Sequence, residues 1–193
     1  MKIAFLTLGC KLNYAETSTY ERGFKAAGLE VVPWSEKADI YLVNTCSVTA
    51  VSDRKSRNLV RRVHRMNPGA LVVVTGCSAE LRRGEIEAIE GVSRVFGADE
   101  KALVVPETLK AAGLAAGFDS ARGCRGLAIR GTSAPAEAVP VFAAYSTGER
   151  TRSFLKVQDG CDNFCAYCTV PYARGRSRNV PIAECVENAR KIA

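Results

Sequence analysis

The stretch ALVVVTGC, residues 70–77, decides the fold that the sequence predicts. Its five apolar residues, three of them consecutive valines, are typical of a β-strand buried on both faces, and Gly76 ends the run. Strands without polar alternation occur mainly in parallel sheets, because helices cover both faces of such sheets. Cys77 follows at once, which places a thiol just beyond the carboxyl end of a buried strand.

The patterns on either side of this stretch predict an open α/β sheet. Short apolar runs alternate with longer segments whose apolar residues recur at helical spacing, and this alternation builds βαβ units. We expect the flavodoxin-like strand order 2-1-3-4-5, in which the first, third and fourth strands are neighbours. Strands are predicted at 3–8, 29–33, 39–45, 70–76 and 93–97, and helices at 14–27, 53–66, 79–90 and 99–111.

The sequence divides into three parts of different composition. Residues 1–110 carry the α/β pattern, and we interpret them as one N-terminal domain. Residues 111–145 are rich in Ala, Gly, Ser and Pro, which is typical of a linker with at most a strand or two. Residues 146–193 begin a second domain, because strand character returns at 151–160 and a helix is predicted after Pro181.

Composition limits the class of protein. The chain has 193 residues, 47% of them hydrophobic, which suffices for one or two globular cores. No apolar run approaches the roughly 20 residues of a membrane span, and the N-terminus lacks the features of a signal peptide. We therefore expect a cytoplasmic protein with no membrane partner. The net charge of +7 suits a polyanionic partner such as nucleic acid.

Three cysteines follow strands at matching places. Cys10 comes after the first strand, Cys46 after the third and Cys77 after the fourth. Since these strands are neighbours in the expected order, the thiols would converge at the carboxyl edge of the sheet, where ligands bind in such folds. Three thiolates suit an iron–sulfur cluster with one open iron. One alternative is that the cysteines are simply buried as small apolar side chains. Another is zinc, although such sites usually recruit His or a carboxylate, and His64 lies on a basic helix.

A second group of cysteines lies in one tight loop. In GCDNFCAYC, residues 160–168, Cys161, Cys165 and Cys168 have the spacing C-x3-C-x2-C. Zinc ribbons bring two separated pairs of ligands, and no second pair follows here. Three close thiolates can instead hold three corners of a 4Fe–4S cluster and leave one iron for an external ligand. The two remaining cysteines are assigned to neither group: Cys124 and Cys185.

Basic side chains concentrate in two places. The predicted helix at 53–66 is strongly basic, and one use of such a helix is to neutralise RNA phosphates. The alternative is a solvated helix face. After the cysteine loop, the segment ARGRSR at 173–178 adds arginines that suit RNA or a cofactor carboxylate. The candidate RNA contacts are Arg54, Lys55, Arg61, Arg62, Arg65 and Arg174.

The loop at 160–168 resembles that of the radical S-adenosylmethionine (SAM) enzymes. Its spacing, the preceding strand, the following helix and the aromatic Tyr167 before the last cysteine match that superfamily. The resemblance implies that the open iron of a 4Fe–4S cluster on this loop chelates SAM, and that an electron cleaves SAM to a 5′-deoxyadenosyl radical. It also implies that Tyr167 lies beside the adenine. The alternative role for this ring is packing under the loop.

Taken together, the two groups of cysteines resemble the methylthiotransferases, a family of radical SAM enzymes. LGCKLNYAET (8–17), VNTCSVT (43–49), VTGC (74–77) and the basic segment 53–68 are most similar to the branch that acts on threonylcarbamoyladenosine beside the tRNA anticodon. The resemblance implies an N-terminal flavodoxin-like parallel sheet, followed by the first strand and helix of a radical SAM partial TIM barrel.

The same resemblance implies the chemistry and the partners. Two 4Fe–4S clusters would face one substrate, the first of them on Cys10, Cys46 and Cys77. One SAM would supply the methyl group, and another the radical that abstracts hydrogen from C2 of the adenine, where sulfur from the first cluster is inserted. The implied partners are tRNA and a reductant protein. Alternatives are the isopentenyladenosine and ribosomal-protein branches, or a non-catalytic module that binds RNA or a cluster.

Members of this family continue with further barrel units and a small RNA-binding domain. The present sequence supplies one strand and part of one helix around its second cysteine loop. We therefore expect a truncated chain that is inactive alone. An anaerobically reconstituted sample of this chain that cleaved SAM would contradict that expectation.

Overall fold

Five parallel strands form the centre of the molecule. The computed structural model describes residues 1–47, 49–114, 141–147 and 152–193. The strands are β1 (Lys2–Thr7), β2 (Glu30–Val32), β3 (Ile40–Thr45), β4 (Leu71–Gly76) and β5 (Val92–Phe96). Their order is β2-β1-β3-β4-β5, so the predicted order 2-1-3-4-5 is confirmed. The first, third and fourth strands are therefore neighbours.

Helices connect these strands and cover both faces of the sheet. The second helix begins three residues earlier than predicted, because Thr49 Oγ1 accepts a hydrogen bond from the Ser52 amide at 3.1 Å and caps its first turn. A 3-10 turn at Lys101–Leu103 leads into the fifth helix. The helices are α1 (Lys11–Ala26), α2 (Ala50–Met66), α3 (Cys77–Leu81), α4 (Arg83–Glu87) and α5 (Val104–Ala111).

Each strand sends alternate side chains to opposite faces. In β3, Ile40 and Leu42 pack in a core shared with α1 and α5, whereas Tyr41 and Val43 pack in a core shared with α2. All six residues of β3 are buried. Burying one large apolar side chain contributes about 1.5–3 kcal/mol, so a strand that is apolar on both faces stabilises both layers. This packing explains the apolar runs in the sequence.

Two predicted helices differ from the structure in detail. The helix predicted at 79–90 is instead two short helices, α3 and α4, because Arg82 between them leaves helical geometry at φ −135° and ψ 38°. The segment predicted as helix at 99–111 contains the 3-10 turn and then α5. Pro106 lies in the first turn of α5, where its missing amide hydrogen costs no helical hydrogen bond.

The C-terminal part contains two short strands and two helices. Strand β6 (Gln158–Asp159) pairs antiparallel with β7 (Arg178–Asn179), and a single antiparallel bridge joins Tyr145 to Leu155. The strand predicted at 151–160 is therefore much shorter in the structure. Helix α6 (Val170–Arg174) follows the second cysteine loop. Helix α7 (Ile182–Ile192) confirms the helix predicted after Pro181.

The segment 141–147 packs against helix α1. The Phe142 ring stacks on Tyr20 with a centroid distance of 5.2 Å, and Arg22 donates from Nη2 to the Tyr145 carbonyl at 2.8 Å. None of the helices in the described ranges has the length and apolar character that a membrane crossing requires. Cys124 lies outside the described residues.

Candidate metal centre

Three neighbouring strand ends carry the first group of cysteines. Thr45 and Gly76 are the last residues of β3 and β4, and they pair with each other. Cys46 and Cys77 are therefore the first residues after two adjacent strands. Cys10 lies three residues beyond the end of β1 and stands at the start of α1. The structure thus brings all three to the carboxyl edge of the sheet. Cys46 and Cys77 are buried there, whereas Cys10 is exposed.

Two glycines allow the loops at this edge to lie close together. Gly9 has a φ of +109°, and a Cβ atom there would stand 2.9 Å from Cys46 Cβ and 3.1 Å from its Sγ. Gly76 has a φ of +100°, and a Cβ atom there would stand 2.3 Å from the Thr45 carbonyl oxygen. Both positions therefore need glycine for its backbone freedom and for its lack of a side chain.

Asn13 ties the ends of β1 and β3 together. Its Nδ2 donates to the Leu8 carbonyl at 3.0 Å and to the Thr45 carbonyl at 2.9 Å. Its Oδ1 accepts from the Cys10 thiol at 3.6 Å. The Asn44 side-chain amide in turn donates to the Asn13 carbonyl at 3.0 Å. Asn13 is fully buried, and a buried amide without hydrogen bonds would destabilise the fold. These contacts supply the hydrogen bonds that the Asn13 side chain needs.

Helix α2 holds the backbone of Cys46. The Cys46 amide donates to Ser56 Oγ at 3.3 Å, and the Cys46 carbonyl accepts from the same hydroxyl at 3.2 Å. The start of α3, just after Cys77, is fixed by Thr45, whose Oγ1 accepts from the Ala79 amide at 3.2 Å. Both buried cysteines therefore have a fixed backbone. The sequence analysis did not single out Ser56.

The second group of cysteines occupies the loop between β6 and α6. The Cys161 amide donates to the Gly175 carbonyl at 3.1 Å, and the Cys168 amide donates to the Cys165 carbonyl at 2.9 Å. These hydrogen bonds close both ends of the loop. Cys165 is exposed, and Cys161 and Cys168 are half-buried. All three thiols are therefore at least partly accessible to a ligand.

Aromatic side chains lie on the exposed side of this loop. Tyr167 is 91% exposed, so packing under the loop is the wrong role for it in this structure. The Phe164 ring contacts Tyr172 edge-on, with centroids 6.0 Å apart, and the Arg176 guanidinium lies 5.2 Å from the Phe164 centroid. The Tyr167 ring is therefore exposed to solvent beside the cysteine loop.

The packing of two helices places the groups of cysteines on one side of the molecule. Helix α3 begins at Cys77, and helix α6 begins two residues after Cys168. These two helices pack against each other. The loop of the C-terminal part therefore lies at the same edge of the sheet as the first group.

A buried ionic cluster joins the two parts of the molecule. Glu16 Oε1 accepts from three cationic side chains at 2.8 to 3.0 Å, and Asp159 accepts from the same three at 2.6 to 3.0 Å. Each of the five residues is at most 4% exposed. They come from α1, the 3-10 turn, the segment before β6, β6 itself and α6. The ionic cluster consists of Glu16, Lys101, Lys156, Asp159 and Arg174.

The electrostatics of the ionic cluster favour its charged form. Burial by itself raises the pKa of Glu16, but the three neighbouring cations outweigh it and lower that pKa to about 2. The pKa of Asp159 lies well below its ordinary value for the same reason. Burial raises the pKa of the Cys77 thiol, and the positive charges of Arg174 and Lys101 oppose that rise. Arg174 of the ionic cluster donates to Asn13 Oδ1, which also accepts from the Cys10 thiol, so the cluster lies next to the first group of cysteines.

The structure corrects the prediction that Arg174 contacts RNA. Its side chain is 4% exposed and donates to Glu16 at 3.0 Å and to Asp159 at 2.8 Å. A guanidinium enclosed in this way is not available to a nucleic acid. Its place at the end of α6, which packs against α3, is the physical reason for the difference.

Sequence analysis did not identify the rest of the ionic cluster. One signal for Glu16 exists, because this residue lies four positions before Tyr20 and eight before Phe24, on the apolar face of α1. A carboxylate on that face needs buried partners. The partners themselves carry no such signal, since they are distant in sequence. They are Lys101, Lys156 and Asp159.

Helix α2 combines an apolar inner face with a cationic outer face. Val60 and Val63 are buried in the core, and Arg57 forms an ion pair with Asp53. The Arg62 guanidinium lies 4.7 Å from the centroid of the Trp34 ring. The remaining candidate RNA contacts are all exposed on the outer face, namely Arg54, Lys55, Arg61, Arg62 and Arg65.

The side chains at this edge fit an iron–sulfur cluster by the chemistry of their donors. Both groups offer thiols alone, and thiolate sulfur is the ligand that such clusters require. In the described ranges, no three His, Cys, Asp or Glu side chains lie as close together as a bound metal ion demands. Binding would therefore have to draw the thiols of each group toward one another.

Comparison with known proteins gives one matching family model and several relatives. Residues 2–97 match the family model described as "Uncharacterized protein family UPF0004". The threonylcarbamoyladenosine tRNA methylthiotransferase MtaB of Bacillus subtilis strain 168 is 38% identical over 98% of this chain and 40% of its own length. The protein of that name from Aquifex aeolicus is 36% identical over 100% of this chain and 45% of its own length. The chain thus spans less than half the length of these relatives.

The fold is also similar to that of a solved radical SAM enzyme. The radical S-adenosylmethionine methyltransferase TsrM from Kitasatospora setae, with tryptophan and a SAM analogue bound, matches with a TM-score of 0.53. The match covers 99% of this chain and 46% of that protein, at 15% sequence identity. At this identity the likeness extends to the fold alone.

Proposed function

The chain belongs to the methylthiotransferase family, and from that premise we propose that it serves a radical SAM enzyme that adds a methylthio group to threonylcarbamoyladenosine in tRNA. The observation that carries the proposal is the single edge of the sheet at which two groups of three cysteines lie, joined by the packing of α3 on α6. Two relatives that bear the name of this activity match almost the whole chain.

The proposal assigns a cofactor to each group of cysteines. Cys10, Cys46 and Cys77 would hold one 4Fe–4S cluster, and the thiols at 161, 165 and 168 would hold a second, with SAM at its open iron. When bound, these groups would supply the electron for SAM cleavage and the sulfur atom that is inserted. The residues of the chain itself would position these groups. Ser56 fixes the Cys46 backbone, and the exposed Tyr167 ring can lie against an adenine.

The proposal also covers the organisation of the chain and its partners. Residues 1–110 would form the domain of the first cluster, 111–145 a connection, and 146–193 the start of the SAM-binding domain. A reductant protein would reach the exposed side of the second loop, where Cys165 is accessible. Because the substrate is tRNA, the proposed activity is cytoplasmic.

Mass spectrometry of tRNA nucleosides tests the substrate. In a strain that lacks the gene, we expect the methylthio derivative of threonylcarbamoyladenosine to disappear while the isopentenyladenosine derivative is unchanged. The intact gene should restore it. A Cys185→Ala variant should also restore it, and a Cys10→Ala variant should not. A normal level of the modified nucleoside in the deletion strain would refute the proposed substrate.

Iron analysis tests the cofactors. Anaerobic reconstitution of the chain should give about eight irons per chain, which is two 4Fe–4S clusters. The triple variant C161A/C165A/C168A should retain about half of that iron, because it keeps one group of thiols. Zinc without iron in both proteins would contradict the assignment.

The outer face of α2 is the proposed RNA contact within the described residues. Arg61 and Arg65 lie on this face and are exposed. Replacing both with Gln should weaken tRNA binding and lower the slope of log affinity against log salt by about 1 for each residue, because fewer counterions are released. Arg83→Gln is the control, since Arg83 is also exposed but lies on α4, paired with Glu87. Equal effects of the two changes would remove α2 from the RNA site.

A further inference from the structure

The Arg174 guanidinium contacts the supports of both groups of cysteines. Its Nη2 donates to Asn13 Oδ1 at 2.6 Å, and that oxygen also accepts from the Cys10 thiol. Its Nη1 donates to Asp159 Oδ1 at 2.8 Å, and Asp159 leads directly into the second cysteine loop. One side chain therefore links the edge of the sheet to the loop of the C-terminal part.

Arginine suits this place for geometric reasons. A guanidinium presents five donors in a rigid plane, whereas a lysine ammonium is a compact charge without a fixed direction. Arg174 uses separate nitrogens for Asn13 and for the carboxylates of Glu16 and Asp159. Burying such a cation is costly unless its partners are well placed, so the contacts fix its orientation.

We propose that Arg174 is a positioning residue, which holds the carboxyl edge of the sheet and the second cysteine loop in one mutual arrangement. The purpose of that arrangement, two clusters facing one substrate, rests on the proposed function. The mechanical link does not rest on it, since it consists of contacts between residues of this chain. Asn13 transmits the link, because it joins Arg174 to the ends of β1 and β3.

Hydrogen exchange of the metal-free chain tests the link. In Arg174→Lys, which keeps the charge and loses the planar fork, amides in both 8–14 and 160–168 should exchange about tenfold faster, because each segment loses a buried hydrogen bond to a charged group. Arg190→Lys is the matched control: Arg190 is exposed on α7, outside both segments, and its variant should exchange like the parent chain. Faster exchange in only one of the two segments would overturn the proposal.

A second readout separates this inference from the proposed function. In the background C161A/C165A/C168A, Arg174→Lys should lower the iron bound by the first group of cysteines and broaden its electron paramagnetic resonance signal, whereas Arg190→Lys should do neither. Unchanged iron and an unchanged signal in Arg174→Lys would overturn the proposal. If the background protein itself bound no iron, the proposed function would fail, and the exchange experiment would still decide the link.

A different variant covers the case in which Arg174→Lys does not fold. Asn13→Ala leaves the ion pairs of Arg174 with Glu16 and Asp159 in place. It removes the acceptor on the sheet edge, together with the hydrogen bonds of the Asn13 side chain to Leu8 and Thr45. We expect faster exchange at 8–14 and also at 160–168, because the loosened guanidinium holds the loop less firmly. An effect confined to 8–14 would overturn the proposal.

Discussion

Glu16 is the residue on which the ionic cluster most depends. Its carboxylate is 1% exposed and accepts from Lys101, Lys156 and Arg174. Glu16→Gln would leave these three buried cations with Asp159 alone. We expect a loss of about 3–5 kcal/mol in the free energy of unfolding, which is typical when one partner of a buried ion pair is removed. Urea unfolding followed by circular dichroism measures it.

An exposed glutamate gives the matched control. Glu87 pairs with Arg83 at 3.0 Å, but the Glu87 side chain is 52% exposed. Glu87→Gln should change the free energy of unfolding by about 1 kcal/mol at most, because water already screens that pair. Similar losses in the two variants would mean that the ionic cluster does not stabilise the fold.

The same residue predicts how stability depends on pH. The pKa of Glu16 is lowered from 4.5 to about 2 in the folded chain, so folding favours the ionised carboxylate. Its contribution is complete above the ordinary pKa of 4.5 and is lost as the pH falls toward 2. Asp159, whose pKa is also lowered, acts in the same direction.

Unfolding of the metal-free chain across this range provides the measurement. The free energy of unfolding should fall steadily below about pH 5, and Glu16→Gln should give a shallower curve because it has one fewer group to protonate. A variant curve parallel to that of the parent chain would contradict the role of Glu16.

At the scale of elements, the junction of β4 and α3 is the most constrained. Gly76 has a φ of +100°, and a Cβ atom there would meet the Thr45 carbonyl at 2.3 Å. Gly76→Ala should therefore destabilise the chain by about 2–4 kcal/mol, through backbone strain and displacement of β3. Gly84→Ala is the control, because Gly84 lies in α4 with open space around it, and it should be neutral or stabilising by about 0.5–1 kcal/mol. Equal midpoints of thermal unfolding would contradict this account.

The sheet could be predicted from sequence because its signals are local. Each strand is a short apolar run between turn residues, and the connections are short enough to limit the order of strands. The break at Arg82 could not be predicted from the local pattern, and the Arg82 side chain forms an ion pair with Asp53 at 3.1 Å. That partner belongs to another helix, so its effect is not visible in the local pattern.

At the scale of the whole molecule, the sequence predicts where the cysteines lie but does not predict which residues pair in the ionic cluster. The cysteines can be recognised in the sequence by their residue type and spacing. The strand order then brings Cys10, Cys46 and Cys77 to one edge of the sheet. The ionic cluster depends on residues as distant in sequence as Glu16 and Arg174, which are in contact only in the folded molecule. No periodicity encodes such a pairing, so the sequence predicted a contact with RNA for Arg174 and did not predict a buried ion pair.

The ionic cluster also predicts that the two parts of the molecule do not fold independently. Among the described residues, the segment 141–193 contributes few buried apolar side chains, namely Ala144, Pro171, Ala173 and Val180. So little burial cannot offset the conformational entropy of ordering the segment, which is about 1.5 kcal/mol per residue. Separated from 1–114, it would also carry Lys156 and Arg174 without Glu16.

We therefore expect residues 141–193 to be unfolded alone by circular dichroism, and residues 1–114 to fold with a lower unfolding midpoint than the whole chain. Mixing the two should restore ordered signal, because the buried charges then regain their partners. The same mixture with Glu16→Gln in the larger fragment should restore less of it. A cooperative thermal transition of 141–193 by itself would contradict this expectation, and would mean that the second cysteine loop is organised without the sheet.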